Sequence, residues 1–148
     1  MKSYLLFLSM LALVVFSACE KEDQDTPPEI SKLEALNHDN ETNVIERGGT
    51  IMVNFDARSR NDGRLDRYHI EIHDHPESGN PADEYKLIDD TFEDNPTFKG
   101  LRNASIHHHV SVPMDANLGE YHVVVVVIDE FGNSTDTEEW DVEVVIVE

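Results

Sequence analysis

The chain has 148 residues, with 31 acidic side chains against 11 basic ones, a formal charge of −20 with histidine neutral. That balance opposes nucleic acid and anionic lipid and favours cations or basic partners. A single cysteine excludes an internal disulfide and a multi-thiolate metal site, which leaves the eight histidines as the metal-ligating group in excess. At the start, Met1 and Lys2 give one positive charge, residues 4–16 are apolar apart from Ser9, and the small residues Ser17 and Ala18 precede Cys19. A charged start, a short apolar run and small residues before a cut site make a secretory signal over residues 1–18. The run is shorter than the roughly 18 residues that a spanning helix needs.

Phe16-Ser17-Ala18-Cys19 resembles the lipobox of bacterial lipoproteins. The resemblance implies cleavage before Cys19, lipidation of its sulfur and a membrane partner held through the N-terminal anchor. Residues 19–28 follow as an acidic tether with little to bury, reaching at most ~35 Å when extended. An acidic stretch directly after the lipidated cysteine resembles the export signal of surface-displayed lipoproteins. That implies an outer-membrane lipoprotein exposed at the cell surface, with a periplasm-facing anchor as the alternative.

Residues 29–148 read as one β domain. Ile30, Leu33 and Leu36 fit a short helix or an irregular first strand. Residues 49–57 alternate, with Ile51, Val53, Phe55 and Ala57 on one side. Asn61, Asp62 and Gly63 are turn chemistry. Residues 65–75 give a strand with Tyr68, Ile70 and Ile72 inward, and residues 76–83 a loop. Residues 85–88 and 97–101 are candidates for short strands. Residues 105–112 alternate with Ile106, His108, Val110 and Val112 inward. Residues 121–129 are apolar and β-branched, as in a central strand covered on both faces. A turn at 131–134 leads to the last strand, 140–147.

About seven short strands, no convincing helix and regular turns predict an all-β fold, an antiparallel β-sandwich. Residues 119–125, followed by Asp129-Glu130-Phe131-Gly132-Asn133, resemble the penultimate strand and turn of bacterial immunoglobulin-like and fibronectin-like modules. The resemblance implies that Tyr121 is a corner tyrosine. The layout also resembles a family of bacterial putative lipoproteins of unknown function with an Ig-like domain, in which an Ile-x-Ile-His segment and further histidines recur. Here that segment stands as Ile70-Glu71-Ile72-His73-Asp74-His75.

The period of two puts His69, Glu71, His73 and His75 on the outer face of their strand, with same-face neighbours ~6.5–7 Å apart. If Tyr121 points inward, His122 points outward. In an immunoglobulin-like sandwich the penultimate strand pairs beside this one, so His122 shares that face. Imidazole with carboxylate suits zinc, and imidazole also suits copper. His73 and His75 rank first, His69, His122 and Glu71 next. His107 and His109 face outward on a strand of the other sheet and form a second or shared site. Asp74, Glu71 and Glu120 are candidates for orienting the ligands. Calcium ranks behind, because the acidic turns at 61–63 and 129–133 lack the oxygen count that a hard ion takes. No nucleophile elbow, phosphate-cradling loop or open catalytic metal position is recognisable, so the expectation is a non-enzymatic binding protein. It captures zinc or copper and hands it to an outer-membrane transporter. The alternative is an adhesion module that binds a protein or glycan through the loop at 74–84.

Overall fold

The computed structural model describes residues 24–138 and 140–146. The segment read as signal peptide, Cys19 and the first part of the tether lie outside the described residues. Among the described residues nine strands run in order: β1 (Glu29–Asn37), β2 (Val44–Glu46), β3 (Thr50–Arg58), β4 (Leu65–Asp74), β5 (Lys86–Phe92), β6 (Asn103–Ser111), β7 (Gly119–Asp129), β8 (Ser134–Asp136) and β9 (Trp140–Val145). The one helical turn among the described residues is a 3-10 turn, Pro81–Asp83. No helix among them is long and apolar enough to cross a membrane.

Two sheets form the sandwich. One has the order β1-β3-β6; the other runs β2-β9-β7-β4-β5, with β8 pairing on β7. All pairings are antiparallel except β2 on β9. This is the immunoglobulin-like arrangement, and the core follows from alternation. Ile51, Val53 and Phe55 of β3 and Ile106 and Val110 of β6 face Tyr68, Ile70 and Ile72 of β4 and Val123, Val125 and Val127 of β7. Each of these buried side chains contributes about 1.5–3 kcal/mol of transfer free energy. Tyr68 anchors one end of the core, with ring centroids 4.8 Å from Phe92, 4.9 Å from Phe98 and 5.5 Å from Phe55. Tyr121 anchors the other: its hydroxyl donates to the Asn117 carbonyl at 3.0 Å, the geometry of a tyrosine corner. Burial, then the nearby Asp74 charge, raises its hydroxyl pKa above the usual range.

Several details differ from expectation. The first segment is a strand, bent where the register shifts between Ser31 and Glu34 and where Lys32 takes φ of 55°. Residues 97–101 are not a strand. Phe98 and Lys99 N–H both donate to the Asn95 carbonyl, and the resulting turn drives the Phe98 ring into the core. Val124, Val126 and Ile128 are half-buried on the outer face of β7 rather than covered by a further layer. Of the stretch read as tether, residues 24–28 join the folded unit. Pro28 is buried, and the Gln24 and Thr26 carbonyls accept bonds from Asn61.

Candidate metal centre

Strand register assembles one row of side chains across the outer face of the larger sheet. Asp141 of β9 is paired with His122 of β7, His122 with His73 of β4, and His73 with Lys86 of β5. The inward-facing side chains on either side of this row hold it rigid. Asp74, the last residue of β4, faces inward and is buried. Its carboxylate accepts from the Tyr85 N–H and the Asn117 amide, both at 2.7 Å. That pins the end of β4 to two loops and aims the next residue, His75, back along the outer face. Asp74 is therefore an anchor for the site rather than a partner of its imidazoles.

Three rings meet there. The His75 and His122 centroids are 3.9 Å apart, His73 and His122 5.7 Å, and His73 and His75 6.1 Å with nearly parallel planes. Carboxylates border two of them. His122 Nδ1 lies 2.7 Å from Asp141 Oδ1, and His73 Nδ1 lies 3.3 Å from Glu71 Oε1, within ion-pair range but off the line of a hydrogen bond. Two groups bring potential ligand atoms within 4.8 Å of one another here: Glu71, His73 and Glu84, and Glu120, His122 and Asp141. His122 is buried at 5% exposure while His75 is exposed, so an ion would have a fixed floor and an adjustable roof.

His69 stands apart from the three rings. Its Nδ1 is 2.9 Å from Thr91 Oγ1 and its Nε2 is 3.2 Å from Asp89 Oδ1. It forms its own group with Glu71 and Asp89. Lys86 links the groups, with Nζ 2.7 Å from both Glu71 and Asp89. The hydrogen bonds that Lys86 donates to those two carboxylates raise the lysine pKa, and the lysine in turn lowers that of Asp89.

His107 and His109 belong to β6 and face outward from the smaller sheet, on the opposite side of the sandwich; they do not join the first cluster. His108 points inward and packs on Phe92 at 4.8 Å. Burial, then the neighbouring His109 charge, lowers its pKa. The acidic turn at 129–133 is closed on itself. Asp129 accepts four N–H bonds, from Phe131, from the Asn133 backbone and side chain, and from Asn61. Its oxygens are engaged in building the turn.

Asp141 and Glu84 escaped the sequence reading. Asp141 was within reach, since inward Val142 and Val144 put it on the outer face of the last strand. Glu84 lies between the 3-10 turn and β5, where no period reports direction.

A family model described as "Domain of unknown function (DUF4625)" matches residues 17–146. No curated protein matches the chain. Among solved structures, a DUF4466 family protein from Parabacteroides merdae shares 10% identity over 79% of this chain and 45% of that one, with a TM-score of 0.48. The alkylpurine DNA glycosylase AlkC of Pseudomonas fluorescens, solved on DNA with an abasic-site analogue, shares 17% identity over 80% of this chain and 30% of that one, with a TM-score of 0.46. The sporulation control protein Spo0M of Bacillus subtilis shares 8% identity over 80% of this chain and 49% of that one, with a TM-score of 0.45. The chain thus spans less than half the length of each.

Proposed function

The chain belongs to the DUF4625 family, and we propose that it is a non-enzymatic, lipid-anchored binding protein of the cell envelope that captures a transition-metal ion on its larger sheet. The ligands are His73, His75 and His122, with Glu71 and Asp141 beside them. The observation that carries this reading is the packing of three imidazoles with ring centroids 3.9–6.1 Å apart, with carboxylate oxygens 2.7 and 3.3 Å from the Nδ1 atoms of two of them. Brought onto the hydrogen-bond line by a small side-chain rotation, each carboxylate would fix its imidazole and raise its basicity, leaving the other nitrogen for the ion. A mixed nitrogen and oxygen set favours zinc, with copper next. The surplus negative charge raises the local cation concentration. An arriving ion would take Glu71 from Lys86, and the lysine keeps Asp89 as its partner, so no ammonium is stranded.

The anchor at Cys19 and an outer-membrane, surface-facing location are supported by the lipobox-like and acidic segments of the sequence. From that position the domain would pass its ion to an outer-membrane transporter. A second reading, an adhesion module for a protein or glycan, is favoured by a cleft of about 220 Å³ in the loop after β4, lined by His75, Pro76, Gly79, Asn80, Pro81 and Glu84.

Calorimetric titration of the untagged protein with zinc separates the two. An imidazole ligates only when neutral, so protons compete with the ion and binding should weaken from about pH 7.5 to about pH 5.5. Affinity no tighter than about millimolar at the higher pH, roughly −4 kcal/mol, would favour the adhesion reading.

A further inference from the structure

The smaller sheet carries its own histidine group, and its chemistry differs from that of the first. On β6 the outward residues His107 and His109 have ring centroids 4.6 Å apart. His38 follows the end of β1, where its backbone N–H bonds the Thr50 carbonyl at 2.9 Å, and its ring meets His109 edge-on at 4.7 Å. The strand register then adds a sulfur. Met52, on the outer face of β3, is the direct cross-strand partner of His109, and Asn54 is the partner of His107. Partners of this kind hold their Cβ atoms about 4.5–5.5 Å apart, which puts the imidazole within the span of a methionine side chain.

Two of the rings are also oriented. His107 Nδ1 lies 2.6 Å from Asn54 Oδ1, which only accepts, so the proton sits on Nδ1 and Nε2 keeps its lone pair. His38 Nδ1 lies 3.2 Å from Asp39 Oδ1, with the same consequence. A ring nitrogen held by an oxygen acceptor, with the other left open, is how ligating histidines are supported. His107 and His109 are solvent-exposed on β6 and His38 is exposed in the turn after β1, so a shared ion would draw their Nε2 atoms together by side-chain rotation.

We propose that Met52, His107 and His109, with His38 as a fourth ligand, form a copper(I) site on the outer face of the smaller sheet. A thioether among imidazoles is a soft donor set that selects cuprous copper over zinc, whereas the first cluster offers imidazole and carboxylate only. The two sites lie on opposite faces of the sandwich and share no residue, so each stands or falls alone.

The test is titration of the untagged protein with Cu(I) under anaerobic reducing conditions, in competition with a chromophoric Cu(I) chelator. The H73A/H75A variant should keep this site, while the H107A/H109A variant should lose it. Met52→Leu preserves volume and fold. It should weaken Cu(I) binding by about tenfold or more and leave zinc uptake unchanged. Cu(I) affinity equal to wild type in H107A/H109A, or unaffected by Met52→Leu, would overturn the proposal.

Discussion

Alanine at both His73 and His75 is expected to lower zinc affinity by about a hundredfold or more, since even partners outside the ligand shell are worth 10–100-fold. These two residues bring imidazole from β4 and from the segment just after it to His122 at 5.7 and 3.9 Å. Without them, His122, Asp141 and Glu120 remain, a set with one imidazole and two carboxylates. The fold should survive. His75 is exposed and His73 faces outward, so the variant loses little core packing, and its melting temperature should stay within a few degrees of wild type. His69→Ala is the matched control. Its ring engages Thr91 and Asp89 rather than the three-ring group, so zinc affinity should change by less than about threefold. Calorimetry on the three proteins reads both effects. A double variant that binds zinc like wild type would remove His73 and His75 from the site.

The largest effect on stability is expected at Asp129, far from any proposed ligand. Asp129 is 1% exposed, and its carboxylate lies where three segments meet. Oδ1 accepts from the Phe131 and Asn133 N–H groups at 3.0 and 2.9 Å. Oδ2 accepts from the Asn61 and Asn133 amides at 2.7 and 2.9 Å. Asn61 in turn holds the Thr26 carbonyl, so Asp129 ties the β7–β8 turn to the β3–β4 turn and to the N-terminal segment. Burial pushes its pKa up, but the bonds from Asn133, Asn61 and the backbone outweigh burial and leave the pKa below the usual carboxylate value. A folded-state pKa below the unfolded one means that this contribution is complete above about pH 4 and is lost as pH falls through the folded value. Asp129→Asn presents an NH2 group to donors that already point at that position. It should cost about 3 kcal/mol, or about 10 °C in melting temperature. Thermal unfolding at neutral pH measures this. A loss under about 1 kcal/mol would mean that the turn is held by other contacts.

What the sequence revealed follows from where alternation is long enough to read. β3, β4 and β6 each run for nine or ten residues, and their inward and outward faces follow directly from the period of two. β2 and β8 have three residues each, too few to show a period, and both escaped notice. Residues 97–101 show the opposite failure. Thr97 and Phe98 have strand propensity, but Asn95 caps a turn with its side chain and its carbonyl, and one buried ring accounts for the apolar signal. At the site, outward placement of His73 and His122 was legible because each sits beside inward residues of known period. The carboxylates were harder to find. Asp141 reaches His122 only through the β7–β9 register, and Glu84 arrives from a loop. His38 was passed over because it follows the end of a strand, where only the fold shows that it meets His109.

X-ray absorption at the zinc edge, on the untagged protein loaded with one equivalent of zinc, tests the metal centre most directly. The expected spectrum shows a nitrogen and oxygen shell at about 2.0–2.1 Å, with the outer-shell scattering of at least two imidazole rings. Oxygen neighbours without imidazole scattering would mean that zinc merely collects on the acidic surface, and would contradict a histidine centre.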